Sequence, residues 1–160
     1  MKTEVLKLSS KINLRIANFN KYMSPKHPIK IIDVAQIDDA NVFVKVIHNN
    51  WDSFSWPNPN SRGIYILFSH NYETKKIDSL YIGKAMFTST IGKRLYTHLM
   101  NNKKDTDFLM KDKNGLDYRI DCIYSIPIDD MSFISSAVEA YLIENLSGDV
   151  NLLNAVGNTD

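Results

Sequence analysis

Two short runs, GIYILF at residues 63–68 and SLYIGK at residues 79–84, constrain the fold of this chain more than any other feature. Both are dense in β-branched and aromatic side chains, which suit a pleated, half-buried surface. The segment between them is polar, so an antiparallel hairpin is the simplest pairing. Alternation then assigns faces: Ile64 and Ile66 lie opposite Gly63, Tyr65 and Leu67. A third strand is expected near Tyr118 to Ile128, after a polar loop through Asn114 and Gly115.

Helical periodicity accounts for much of the remainder. Val5, Leu8, Ile12, Ile16, Phe19 and Met23 recur at steps of three and four, which predicts an amphipathic helix. Ser24 to Pro28 ends it, because each proline disfavours helical backbone in the residue before it. A short extended run from Ile29 is expected, and Asp38 or Asp39 can cap a second helix through about Asn49 that turns Val42 and Val46 inward. Trp51 to Arg62, with Pro57 and Pro59, reads as a loop. Helices follow from about Ser89 to Met100 and from about Ser132 to Leu146, the latter with Ile134, Val138, Leu142 and Leu146 at helical spacing. The tail NLLNAVGNTD is expected to be irregular. The organisation read from this pattern is an N-terminal extension over residues 1–60, packing on or flanking a core over residues 61–160.

With 160 residues, 44% of them hydrophobic and 23% charged, the chain suits one domain with its own core. Cys122 is the only cysteine, which excludes an intramolecular disulfide or a cysteine-rich zinc site and fits a reducing compartment. No apolar run approaches the roughly 20 residues that cross a bilayer, and the basic start lacks a secretory core, so the expected location is the cytoplasm. Net charge is only +1, but all 19 Lys and Arg precede residue 121, whereas 7 of the 18 Asp and Glu follow residue 120. Such a division suits a basic face that attracts phosphates and an acidic segment that supplies a metal ligand, or simply ordinary solvated surface.

The order GIY at 63–65, YIGK at 81–84, RLYTH at 94–98 and EAYLI at 139–143 resembles the GIY-YIG nuclease family, as a single-domain, stand-alone member. These motifs span roughly Gly63 to Asn151. The resemblance implies an α+β fold, with a small three-stranded antiparallel sheet flanked by helices and carrying an N-terminal helical extension. The motifs would converge on one concave face. Arg94 and His98, four residues apart, share one face of their helix, as a joint phosphate site requires.

Phosphodiester hydrolysis needs an activated water, charge stabilisation at phosphorus and assistance to the leaving oxygen. By resemblance Tyr65 is the general base on the attacking water, with Tyr81 in the same network. A free tyrosine has a pKa of about 10, so Lys84 and Arg94 are expected to favour phenolate. The competing reading makes both tyrosines packing residues of the sheet. Glu139 matches the family glutamate and is preferred over Glu144 as the ligand of one Mg²⁺ or Mn²⁺, which needs no all-protein cage. Arg94 would fork onto a phosphate oxygen, and His98 would assist proton transfer or contact the phosphate. Gly83 is expected to permit close backbone approach between strand and helix. The family asparagine is either Asn151, by spacing, or Asn154, which follows a Leu-Leu pair. His27, His48 and His70 match no motif. The fifteen residues between the two strand motifs form a longer connection than the family's common form, and its His70, Lys75 and Lys76 either reach nucleic acid or only solvate the loop.

The expected activity is therefore a divalent-metal-dependent endonuclease acting on DNA and leaving 5′-phosphate and 3′-hydroxyl ends. RNA cleavage and a non-cutting nucleic-acid-binding module are the alternatives. No membrane partner is expected, and homodimerisation stays open.

Overall fold

The computed structural model describes residues 2–33, 35, 43–48 and 56–155. The two strand motifs form the centre of the molecule. Strand β2, Gly63–Asn71, pairs antiparallel with β3, Ile77–Ala85, and on its other side with β6, Asp117–Pro127. Only residues 72–76 separate β2 from β3, because both strands continue through the polar segment that reads as connection in the sequence. Asn71 closes this tip by accepting the Thr74 N–H at 2.7 Å. Register shifts on both sides of β2, between Ser69 and His70 and between Phe68 and Ser69, bend the far end of the hairpin.

Four short strands enlarge this centre: β1 (Phe43–Lys45), β4 (Lys103–Lys104), β5 (Asp107–Lys111) and β7 (Asn151–Leu152). The order is β4-β5-β6-β2-β3-β7, with β1 also on β6. Strand β7 runs parallel to β3, so the sheet is mixed. The expected small, three-stranded antiparallel sheet is thus corrected to seven strands within an α+β fold. The added strands span only two to five residues, too few for alternation to distinguish them from loop.

The sheet has helices on both faces. Helices α1 (Lys2–Phe19) and α3 (Ile134–Leu146) cover the face of Ile64, Ile66, Phe68, Leu80 and Ile82, to which α1 contributes Val5, Leu8, Ile12 and Ile16. Helix α2, Ile91–Asn101, covers the opposite face through Ile91, Leu95 and Leu99, against Tyr65, Leu67, Tyr81 and Ile123. Thr90 caps it by accepting the Lys93 N–H. The 3-10 turn Asn20–Tyr22 ends the first helix, ahead of the proline-containing stretch.

Two further expectations change. Residues 43–45, assigned to a second helix, are β1 instead, since a Phe-Val-Lys run finds pairing on β6 that outweighs local periodicity. Residues 46–48 of that expected helix are not helical either, although Val46 is buried as expected; Asp38, Asp39 and Val42 lie outside the described residues, as do Asn49, Trp51 to Ser55 of the loop and residues 156–160 of the tail. The tail's first part is not irregular: β7 is followed by a 3-10 turn at Leu153–Ala155. Among the described residues no helix is long and apolar enough to cross a membrane.

Candidate active site

The strand parity that separates Tyr65 from Ile64 also directs Tyr65 beneath α2. There the GIY tyrosine, the YIG tyrosine and the helix histidine form one aromatic cluster. Ring centroids lie 6.3 Å apart for Tyr65 and Tyr81, 5.9 Å for Tyr65 and His98, and 5.2 Å for Tyr81 and His98. Tyr81 Oη stands 3.4 Å from His98 Nε2, at the long end of hydrogen-bonding range. Arg94, one turn before His98, is exposed on the same helix.

Gly83 has a sharper role than a general close approach of backbone. A Cβ on it would lie 2.2 Å from Cζ of Tyr65 and 2.4 Å from its Oη. The glycine therefore makes the space that the Tyr65 ring occupies. Tyr65 is 0% exposed, and its hydroxyl is buried without a hydrogen-bond partner. Arg94 and Tyr81 are nonetheless close enough to act on it as hydrogen-bonding neighbours, so the hydroxyl sits beside polar groups without a well-aligned bond to either.

The ionisation of these groups differs from the expectation of a phenolate. Burial first, and then the neighbouring Tyr81, push the Tyr65 pKa well above 10, against the opposing pull of Arg94. Tyr81 is also raised, by burial and by the negative charge of Glu139, again against Arg94. Arg94 thus acts in the expected direction but is outweighed, and both phenols stay protonated near neutrality. His98 moves the other way: burial, and secondarily the Arg94 charge, lower its pKa below 6.5. It is the neutral, proton-accepting group of the cluster.

Glu139 is buried on α3 and faces the Lys84 ammonium, whose Nζ donates to Oε2 at 2.6 Å. Lys84 is thereby committed to the carboxylate rather than to a tyrosine. Glu144, the rival carboxylate, is not among the buried residues of α3. No protein-family model, curated protein or solved structure matches this chain. Nor, among the described residues, do three or more His, Cys, Asp or Glu side chains converge as a metal cage. What the site offers is one carboxylate already holding a cationic group, with a buried phenol nearby whose ionisation its charge influences. A single carboxylate gives a hard divalent ion one protein ligand, the rest of its shell being left to water and substrate oxygens, and one oxygen of that carboxylate is engaged by the Lys84 ammonium.

The two asparagines separate cleanly. Asn154 is buried, accepts the Ile82 N–H at 2.9 Å and donates to the Ile82 carbonyl at 2.5 Å, so its amide reads the backbone of the YIG strand like a neighbouring strand. Asn151 instead donates to Ser79 Oγ and Tyr118 Oη, away from the tyrosine cluster. A Leu-Leu-Asn order after a short strand was the signal available for Asn154.

Other polar groups lie apart from the cluster. His70 Nδ1 meets Asp121 Oδ2 at 2.7 Å, in a cavity of about 460 Å³ that Lys75, Asp107 and Arg119 also line. Asp121 lies in the stretch of β6 where its register with β2 shifts, which no periodicity reveals. Asn58, whose Nδ2 donates to Ser125 Oγ at 2.8 Å, is a further structural contact missed in the sequence.

Proposed function

We propose that this chain is a divalent-metal-dependent endonuclease that hydrolyses phosphodiester bonds in DNA and leaves 5′-phosphate and 3′-hydroxyl ends. The observation that carries the reading is the meeting of Tyr65, Tyr81 and His98 in one cluster, within the electrostatic reach of Arg94 and Glu139. Residues from two strands and two helices supply these groups, and packing alone does not require this combination of chemistries.

The ionisation directions favour a relay over a resting phenolate. Tyr81 passes its proton to His98 Nε2 as its oxygen takes one from the attacking water, so neither phenol carries a lasting negative charge. Arg94 holds a phosphate oxygen. Binding of that phosphate offsets the guanidinium charge that depresses His98, and so makes His98 a better base when substrate is present. Tyr65 offers its hydroxyl to the water or to the phosphate. Glu139 would hold Mg²⁺ or Mn²⁺, and the ion would supply charge neutralisation at the leaving 3′ oxygen. Lys84, at 2.6 Å from Glu139, would be the side chain placed to contact the phosphate chain if that carboxylate took up another cation.

The test is incubation of duplex, single-stranded and branched DNA, and of RNA, with Mg²⁺ or Mn²⁺, followed by end mapping. Wild-type protein should cut in a metal-dependent way, and Glu139→Ala should reduce the rate by at least about 100-fold. Unaltered cutting by Glu139→Ala would sink this assignment. The seat of Lys84 on Glu139 also admits a second reading, a nucleic-acid-binding module that does not cut; salt-sensitive DNA binding without hydrolysis in either metal would favour it.

A further inference from the structure

The connection from β3 to α2 contains a residue whose placement is unfavourable twice over. Phe87 has φ +53, in the left-handed region that disfavours side chains with a Cβ, and it is 65% exposed. It occupies the first central position of a turn closed by the Ser89 N–H on the Met86 carbonyl, where glycine is the natural occupant. An aromatic ring here neither eases the backbone nor fills the core. Arg62 Nε donates to the Phe87 carbonyl and holds the turn in place.

A second exposed ring lies at the start of the helix that contacts this turn. Phe133, 62% exposed, precedes α3 in helical conformation. Ser136, three residues on and therefore on the same side of the helix, has its Oγ 3.1 Å from Met86 Sδ. The start of α3 is thus fastened to the turn that displays Phe87. Arg62 binds the turn, Lys93 and Arg94 lie in the first turn of α2, and Lys84, three residues before Phe87, is paired with Glu139. Asp129 accepts the Arg62 backbone N–H at 2.8 Å.

We propose that Phe87, supported by Phe133, is a stacking platform for an unpaired nucleobase beside the scissile phosphate. The inference rests on the nucleic-acid reading of the adjacent site and narrows its substrate to DNA with a single-stranded stretch, end or mismatch. A ring that stands free in solvent among cations offers a π-face to a base and charge to its backbone. Bases within intact duplex are already stacked on their neighbours and cannot accept that face.

The experiment uses the whole chain in EDTA with a single-stranded oligonucleotide carrying 2-aminopurine, and with the blunt duplex of the same sequence. Binding of the single strand to wild-type protein should quench the 2-aminopurine fluorescence. Phe87→Tyr should keep the quenching; Phe87→Gly and Phe87→Ala should lose it and weaken single-strand binding by about 5- to 150-fold, the worth of one stacked base. Phe87→Gly should also melt at a higher temperature than wild type, since the strain goes with the ring. Unchanged quenching in Phe87→Gly, or a lower melting temperature for it, overturns the proposal. Duplex cutting by a wild-type protein that shows no quenching overturns the stacking platform and leaves the nuclease reading intact. Binding to neither form at low salt overturns both.

Discussion

Tyr65 is held where a protein gains little by holding it. Its hydroxyl has lost water without gaining a well-aligned hydrogen bond, a cost of at most about 1–3 kcal/mol, since Arg94 and Tyr81 stand close. Tyr65→Phe should therefore raise stability by about 1 kcal/mol in urea unfolding while lowering cleavage by about 100-fold. A variant that loses stability and keeps activity would make the residue a packing group only. His98 gives a second prediction at this scale. Its pKa lies below 6.5, and the relay needs the neutral imidazole, so the rate should be flat around neutrality and fall as pH drops through that lowered value. A pH profile of kcat/KM, which reports the free protein, reads this acid limb directly, and His98→Gln should remove it together with most of the rate. The residue types of this cluster were legible in the motif order. Their ionisation was not, because burial of Tyr65 and Tyr81 outweighs Arg94, and burial is a property of packing that spacing does not carry.

At the level of elements, β3 is the one on which the site depends most, and its outer edge is finished by a side chain. Asn154→Ala removes both bonds to Ile82 and leaves a buried N–H and carbonyl unpaired, which should cost about 2–4 kcal/mol. Asn151→Ala, whose amide bonds two hydroxyl groups, should cost less than about 1.5 kcal/mol. Denaturant midpoints of the two variants distinguish them, and a reversed order would return the supporting role to Asn151. Long, strongly patterned elements were legible: β2, β3, β6, α1, α2 and α3 all follow from β-rich runs or steps of three and four. The two-residue pairs Lys103–Lys104 and Asn151–Leu152 were not, since nothing local distinguishes them from loop. They are strands because partners lie alongside.

Across the whole molecule, the helix read as an extension is built into the main apolar cluster, where Val5, Ile12 and Ile16 meet Ile64, Phe68 and Leu142. The amphipathic face of this helix tells which side is buried, but not that Ile64, Phe68 and Leu142 are its partners, since those contacts depend on how the elements are arranged in space. A buried histidine on the other side sets the response of the fold to acid. Burial, ahead of the Arg119 charge, lowers the pKa of His48, and its Nδ1 accepts the Phe108 N–H at 3.1 Å. The unfolded chain protonates this imidazole at about pH 6.5 and the folded chain only at lower pH, so the unfolded state binds more protons in that window. Stability is thus full above pH 6.5 and declines as pH falls through it, by at most about 1.4 kcal/mol per pH unit from His48, with His98 adding in the same direction. Urea midpoints between pH 7.5 and 5.5 should fall accordingly, and His48→Gln should flatten the slope.

Strand β7 pairs with β3 only at Ser79 and Leu80, and beyond that point the amide of Asn154 takes its place at Ile82. One side chain thus stands between a closed sheet and an open template. A chain that loses it would offer the backbone of its own YIG strand to another copy, and strand addition between molecules, rather than simple melting, would be its way of failing.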